Sequence, residues 1–394
     1  MKNTVKKLVA AMLVVVLAVT AMFALTSCGE TNYAKDNTEF IIGLSGPLTG
    51  GASVYGIAVK NSAEMAVEEI NAMGGINGMK FKLVSYDDQH DSTLVNTGYA
   101  SMFEGGMQVS LGCVTSAPCL EFAALSAEDN LFFLTPSASA DSVPAEDNAY
   151  QMCFADGNQG SVAAKYVNSL GKDTIGIFYK ADDPYSKGIY DQFKASLNSS
   201  ITTVEANFTG DADNFSTQID KLAGCDFIFM PIYYGPAQTF MTQAKGKIAD
   251  DATYYGCDGF DGIDSPSEDS TFDINEIPQA VQMLSHFNSK ATDGDAKEYI
   301  DKYVAKFGAS APLNQFGASA YDCVYAIYYA MKAAYEADNN SIYVTMSPSA
   351  LCDILKDSFN GGFTFNGATG TNIKWESTGF VNKQAIAYSI KAAD

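Results

Sequence analysis

The chain contains no arginine, since all 24 of its basic residues are lysine. Arginine is the side chain best suited to holding a carboxylate or a phosphate through two parallel hydrogen bonds. An anionic ligand must therefore be held by backbone N–H groups, hydroxyls or lysine. Histidine is almost as scarce, with only His90 and His286. Metal binding and acid–base catalysis have few candidate side chains, so we expect a protein that is not an enzyme and needs no cofactor or metal.

The eight cysteines are scattered and include no Cys-x-x-Cys pair. A zinc site or a disulfide framework needs closely or regularly spaced cysteines, so neither is predicted. Most of the cysteines beyond Cys28 have apolar neighbours in the sequence, as Cys225 does in Gly224-Cys-Asp-Phe-Ile. We expect these to be buried free thiols. They are Cys113, Cys119, Cys153, Cys225, Cys257, Cys323 and Cys352.

The first 28 residues have the layout of an export signal. Three lysines precede the apolar run 8–25, and the small residues Thr26 and Ser27 lead to Cys28. This layout resembles a bacterial lipoprotein signal, whose cleavage leaves Cys28 as the lipid-modified first residue. The alternative is an uncleaved transmembrane anchor, because about 18 apolar residues nearly span a bilayer. Either way, we expect the rest of the chain to work outside the cytoplasm, attached to the cell membrane.

Charge and length constrain the remaining 367 residues. They carry 21 lysines against 46 acidic residues, a net charge of −25. A surface this acidic repels nucleic acid and anionic lipid, so we expect neither as a partner. The length is enough for two domains of ordinary size. Residues 28–39 are short and polar, and are predicted to form a tether.

Strand and helix patterns alternate along the chain. Residues 40–44 read as a buried strand, residues 58–73 have helical periodicity, and residues 80–86 alternate as a strand. The pattern continues to residue 134, and a second set of the same design follows after Ala155. Strands alternating with helices predict two α/β units with doubly wound parallel sheets. Residues 361–390 instead have the alternating segments and glycine-rich turns of antiparallel strands.

An ordered set of short motifs resembles the type I periplasmic binding proteins, specifically the branch that binds leucine, isoleucine and valine. The order and spacing of these motifs over residues 40–380 match the family. They are Ile42-Gly-Leu-Ser-Gly-Pro-Leu-Thr-Gly, Gly74-Gly-Ile-Asn-Gly-Met-Lys, Tyr86-Asp-Asp, Thr115-Ser116, Thr135-Pro-Ser-Ala-Ser139, Gly256-Cys-Asp-Gly259 and Ala320-Tyr-Asp322.

The resemblance implies two lobes joined by a hinge of three crossings, with one ligand enclosed in the cleft. We expect residues 40–156 and 286–358 to form the first lobe. Residues 157–285 and 359–394 would form the second.

The resemblance also implies where an amino acid would bind. Loops after the third and fourth strands would hold its carboxylate and ammonium groups, an acidic residue of the second lobe would pair with the ammonium, and aromatic rings would surround the rest. The implied ligand residues are Tyr55, Ser116, Ser137, Ala138, Ser139, Tyr185, Tyr233, Asp258 and Phe316.

The residues themselves leave alternatives open. Ser116 precedes Ala117-Pro118 and a helical run, so it is predicted to cap a helix, and a helix N-terminus also attracts a carboxylate. Asp258 ends a strand, where it could pair with an ammonium or serve as an ordinary turn residue. Asp261 and Asp264 lack the glycine and distal glutamate of a calcium loop and are predicted to be turn residues. The tyrosines could equally be core residues.

These features predict a monomeric lipid-anchored receptor that delivers an amino acid, above all a branched-chain one, to separate permease and ATPase subunits of an ABC importer. Ligands such as amides, urea or aromatic compounds remain alternatives within the same fold. A ligand-sensing receptor module is a second alternative. An exported hydrolase is disfavoured, because the chain has no Gly-x-Ser-x-Gly motif and no metal-binding cluster.

Overall fold

The computed structural model describes residues 31–265 and 272–392. The predicted signal segment, the lipidation site Cys28 and the start of the tether lie outside these ranges. Within them, no helix is both long enough and apolar enough to cross a membrane.

The described residues form ten α-helices and thirteen β-strands. The helices are α1 (Ser53–Ala72), α2 (Ser92–Glu104), α3 (Ser116–Glu128), α4 (Asp156–Ser169), α5 (Pro184–Ser196), α6 (Ser216–Leu222), α7 (Tyr234–Gln243), α8 (Gly294–Phe307), α9 (Gln315–Ala337) and α10 (Pro348–Asn360). The strands are β1 (Phe40–Gly46), β2 (Phe81–Asp87), β3 (Val109–Ser110), β4 (Phe133–Thr135), β5 (Ala149–Gln151), β6 (Thr174–Lys180), β7 (Thr202–Phe208), β8 (Phe227–Met230), β9 (Thr253–Gly256), β10 (Ala280–Ser285), β11 (Phe365–Gly367), β12 (Gly370–Ile373) and β13 (Ile386–Lys391).

Two separate sheets confirm the predicted α/β fold. The first has the order β2-β1-β3-β4-β5, and all its strands are parallel. The second has the order β13-β10-β9-β8-β6-β7 and is parallel except for β13, which runs antiparallel to β10. We call the body around the first sheet lobe 1 and the body around the second sheet lobe 2. Parallel strands need helical crossovers, which is why helices cover the sheets.

The chain passes between the lobes three times: after β5, after β10 and before β13. The sequence predicts that residues 359–394 all belong to the second lobe, whereas in the structure this range is divided between the two lobes. Of the residues described in this range, only those of β13 join the second sheet. Trp375 instead packs on Phe359 at the end of α10, with ring centroids 4.5 Å apart, and donates a hydrogen bond from Nε1 to the carbonyl of Gln151 at 2.8 Å. A buried indole needs both an apolar surface and an acceptor, and lobe 1 provides them.

Several helices begin earlier than their apolar periodicity indicates, and α5 shows why. The helix begins at Pro184, ahead of its buried apolar residues Ile189 and Phe193. Asp183 caps it, since its carboxylate accepts the N–H of Ser186 at 2.9 Å, and proline is favoured in the first turn. The capped turn carries Tyr185 and sets the position of its ring.

A buried polar cluster on α9 ties together the segments around the hinge. The Asp322 carboxylate accepts the N–H groups of Ala368 and Thr369, both at 2.8 Å. The ammonium of Lys383, on the last passage between the lobes, donates to the Thr369 hydroxyl at 2.5 Å. One turn earlier on α9, the Ser319 hydroxyl lies 2.7 Å from Nε2 of His286, on the second passage. The second passage is therefore hydrogen-bonded directly to α9, and the last passage is connected to α9 through Thr369.

We expect Asp322→Ala to destabilise the folded protein strongly. The change leaves two buried N–H groups without acceptors and removes the negative charge that faces Lys383, so the free energy of unfolding should fall by at least about 3 kcal/mol. Urea unfolding followed by circular dichroism measures this. Asp301→Ala is the matched control, because its exposed pair with Lys297 should contribute less than about 0.5 kcal/mol. Equal losses in the two variants would contradict a special role for the cluster.

Candidate functional site

A small cavity lies between the two lobes, at the carboxyl ends of parallel strands of both sheets. This is the end at which open α/β sheets bind ligands. Eight of the nine ligand residues implied by the resemblance line it, with Ala138 as the exception. The lining residues are Tyr55, Val114, Thr115, Ser116, Ser137, Ser139, Tyr185, Tyr233, Asp258 and Phe316.

Ala138 does not line the cavity, although both of its serine neighbours do. Its N–H donates to the Thr135 hydroxyl at 3.1 Å, and its carbonyl accepts from the side chain of Gln151 at 2.9 Å. Its methyl group belongs to the apolar core of lobe 1. The N–H groups of Ser137 and Ala138 both turn back to the Thr135 hydroxyl, and in this bend the methyl group of Ala138 faces the core.

The N-terminus of α3 forms the lobe 1 wall. The sequence predicts that Ser116 caps this helix, but in the structure Ser116 is its first residue. Thr115 occupies the cap position and makes no side-chain capping bond. The Ser116 hydroxyl accepts the N–H of Ala140 at 3.2 Å, which joins the loop after β3 to the loop after β4. The first N–H groups of any helix lack internal partners, so this wall favours an anion.

Tyr233 faces this wall from lobe 2. Its ring stacks on that of Tyr185, with centroids 4.5 Å apart and planes 11° apart. Its hydroxyl lies near the N–H of Ser116 and has no hydrogen-bond partner in the described part of the chain. A carboxylate oxygen placed between these two donors would satisfy both.

His90 supports the same wall, which the sequence did not indicate. Its Nδ1 lies 2.8 Å from the Thr115 hydroxyl, and its ring packs edge-to-face on Tyr233, with centroids 5.3 Å apart. Burial lowers the pKa of His90 to about 4, so the ring is neutral at physiological pH. It contributes shape and a hydrogen bond, but no charge.

Asp258 provides the charged group of the cavity lining. It is only 1% exposed, and one carboxylate oxygen accepts the Tyr185 hydroxyl at 2.7 Å. That hydroxyl also accepts the N–H of Gly259 at 2.8 Å, which fixes its direction. The other oxygen, Oδ2, has no hydrogen-bond partner among the residues described. Burial raises the pKa of Asp258 to about 6. The free oxygen can accept a hydrogen bond from a cationic group.

A second carboxyl group, Asp156, lies beside Asp258, although no sequence motif marks it. It begins α4 and is 1% exposed. Gln159 links the two acids, because its side-chain amide donates to Asp156 at 3.4 Å and accepts the N–H of Asp258 at 3.0 Å. Burial, and then the charge of Asp258, raise the pKa of Asp156 well above its usual range. The one feature of the sequence that could have indicated Asp156 is the short strand β5, which ends shortly before the helix that Asp156 begins.

Aromatic rings form the rest of the wall. Tyr55 packs edge-to-face on Phe316, with centroids 5.0 Å apart, and lies 5.9 Å from Tyr233. The cavity therefore has three chemical regions: an N–H and hydroxyl region at α3, a carboxylate region at Asp258 and an aromatic region. Over the described ranges, no group of three His, Cys, Asp or Glu residues could hold a metal ion.

Comparison with known proteins agrees with this architecture. The family model described as periplasmic binding protein matches residues 39–393, so the chain belongs to that family, whose fold serves solute binding. It is 29% identical over 316 residues to the Leu/Ile/Val-binding protein BraC3 of Rhizobium johnstonii, covering 78% of this chain and 83% of that one.

Two solved structures share the fold. The substrate-binding protein LivJ of Streptococcus pneumoniae, in complex with isoleucine, superimposes with a TM-score of 0.76 at 24% identity, covering 89% of this chain and 95% of that one. A solute-binding protein from R. palustris, in complex with benzoate, gives a TM-score of 0.73 at 15% identity, covering 90% and 94%. These two proteins share the fold and hold different kinds of ligand, an amino acid and an aromatic acid.

Proposed function

We propose that this protein is an extracytoplasmic receptor that captures a branched-chain amino acid between its lobes and delivers it to an ABC importer. One observation carries the proposal: a buried carboxylate with a free oxygen, Asp258, lines the same cavity between the lobes as the N-terminus of α3. A small zwitterion complements both ends of this cavity. The names of the sequence relatives, which include a Leu/Ile/Val-binding protein, support the same ligand class.

Each region of the cavity receives one part of the ligand in this proposal. The carboxylate binds to the N–H and hydroxyl groups of Ser116 and Ser139 and to the Tyr233 hydroxyl. The ammonium pairs with Asp258, and the aliphatic side chain packs against Tyr55 and Phe316. Because lobe 1 and lobe 2 both contribute contacts, binding shifts the protein toward the closed arrangement of the lobes. No covalent step is required.

An aromatic acid such as benzoate is the second candidate for this fold, but the cavity disfavours it. A ligand without an ammonium group would leave the Asp258 carboxylate desolvated and unpaired beside Asp156. Leaving a buried charge without a partner costs several kcal/mol.

The proposal extends to the membrane and to the importer. We infer that the chain is cleaved before Cys28 and anchored by lipid on that cysteine, with the polar residues after it as a tether. Separate permease and ATPase subunits would accept the ligand from the closed receptor, which would act as a monomer. The order of features in the first 28 residues supports this inference: lysines come first, then an apolar run, then two small residues and the cysteine.

Leucine, isoleucine and valine should each raise the melting temperature of residues 29–394. A ligand that binds only the folded protein stabilises it by about 2.7 kcal/mol at 100 times its Kd. We expect Ser116→Ala to weaken leucine binding about tenfold in calorimetric titration, because a hydroxyl donor to the carboxylate is lost. Ser101→Ala, at an exposed position of α2, is the control and should bind normally. A response to amides or benzoate but to no amino acid would refute the proposed ligand class.

Leucine affinity should fall as the pH decreases through about 6. Only the ionised Asp258 pairs with an ammonium, and burial raises the pKa of Asp258 to about 6, so protonation below that pH competes with binding. Affinity should be constant between about pH 7 and 8. Calorimetric titration across this range measures it. Asp258→Asn, which keeps the acceptor for Tyr185, should bind weakly and lose this pH dependence; a pH-independent wild-type affinity would contradict the ammonium role.

Lipid attachment should depend on Cys28 alone. Cells expressing the full chain and fed a fatty-acid analogue with a clickable group should label the protein, and the label should disappear in Cys28→Ser. Cys225→Ser is the control, since this buried thiol should have no part in anchoring. An unlabelled protein that stays in the membrane fraction would instead indicate an uncleaved transmembrane anchor.

A further inference from the structure

We propose that Asp261 of lobe 2 and the first turn of α9 in lobe 1 form a direct clasp that stabilises the closed arrangement without contacting the ligand. The Asp261 carboxylate accepts the N–H of Gln315 at 2.8 Å, across the two lobes. Asp261 is 9% exposed and is not among the residues that line the cavity. Its sequence context alone predicts an ordinary turn residue. The inference rests on the proposed function only in so far as closure serves ligand binding.

Lobe 2 supplies a capping acceptor that α9 does not find in its own lobe. The N-cap residue Asn314 accepts the N–H of Gly317 at 2.9 Å, and its amide donates to the Val54 carbonyl at 3.2 Å. Gln315 N–H is bonded instead to Asp261. A negative charge at the start of a 23-residue helix is stabilised by the helix dipole and by the charge-assisted hydrogen bond. Opening the lobes would leave this N–H to water.

The acceptor is held in place by its own turn. The N–H of Asp261 donates to the carbonyl of Asp258 at 2.8 Å, which closes the short helical turn after β9. Burial raises the pKa of Asp261 to about 7, and the hydrogen bond from Gln315 opposes this rise. The contact with α9 therefore favours the ionised form, which is the form that complements the helix N-terminus.

A second set of contacts lies beside the first. The Tyr55 hydroxyl of lobe 1 donates to the carbonyl of Gly259 at 2.5 Å and accepts the N–H of Tyr234 at 3.3 Å. A Cβ atom at Gly262, which has a φ of 96°, would lie 2.6 Å from a methyl carbon of Val54, so the two lobes approach closely there. These contacts also join protein to protein. The segment 258–262 thus carries both Asp258, which faces the cavity, and the lobe 2 side of the clasp.

The clasp should change affinity without changing selectivity. Interactions that form on closure and touch no ligand atom favour the closed state equally for every ligand, so each dissociation constant scales by the same factor. Contacts lining the cavity, by contrast, distinguish one ligand from another. This difference separates a positioning role for Asp261 from a binding role.

The test is Asp261→Ala in the full chain. We expect the Kd for leucine to rise at least about tenfold, while the ratio of the Kd values for leucine and valine stays at its wild-type value. The radius of gyration measured without added amino acid should increase, because the closed arrangement loses population. Asp261→Asn, which keeps an acceptor oxygen but not the charge, should have a smaller effect. Asp250→Ala, at an exposed position of lobe 2 away from this segment, should match the wild type.

Three outcomes would overturn the clasp. One is an unchanged Kd and an unchanged radius of gyration in Asp261→Ala. Another is a lower melting temperature with normal affinity in both Asp261 variants, which would show a purely structural role. The third is an altered leucine-to-valine ratio, which would place Asp261 in the binding cavity. If the wild-type protein binds no amino acid, the proposed function fails, whereas the radius of gyration still decides whether the clasp exists.

Discussion

The buried carboxylate of Asp258 is the constraint on which the site depends. An ionised carboxyl group away from water is costly unless hydrogen bonds or an opposite charge compensate it. Tyr185 compensates one oxygen, and no residue in the described ranges compensates the other. Asp156 increases the cost, because it brings a second acid to the same place. The protein therefore holds a negative region that a ligand cation would relieve.

The absence of arginine explains the construction of the opposite wall. With no guanidinium available, lobe 1 must meet an anion with fixed dipoles, and the loops after β3 and β4 have to be held at a defined distance. The hydrogen bond from Ala140 N–H to Ser116 joins these loops, and His90 supports Thr115 from outside the cavity. Preorganised N–H and hydroxyl groups cost little to orient when a ligand arrives, whereas a long lysine side chain would lose conformational entropy.

The fold class and most of the cavity lining could be predicted from the sequence, because strand ends and family motifs mark the loops that meet between two parallel sheets. The failures come from short or irregular segments. Asp156 follows β5, a strand of three residues that leaves little periodicity to detect. Ala138 stands between two cavity-lining serines in the sequence, but the bend at Thr135–Ala138 turns its methyl group to the core. Trp375 packs against α10 by a contact between distant residues, which local patterns do not encode.

Affinity and selectivity have separable origins in this architecture. The cavity side chains contact the ligand and so determine which ligand is bound. The clasp at Asp261 and the polar cluster around Asp322 act on the arrangement of the lobes, whichever ligand is present. Both are built on α9: Gln315 bonds to lobe 2 in its first turn, and Asp322 lies two turns further along. Because one rigid helix carries both, a change in the hinge would alter the position of the clasp as well, and affinity could be tuned without altering a residue that touches the ligand.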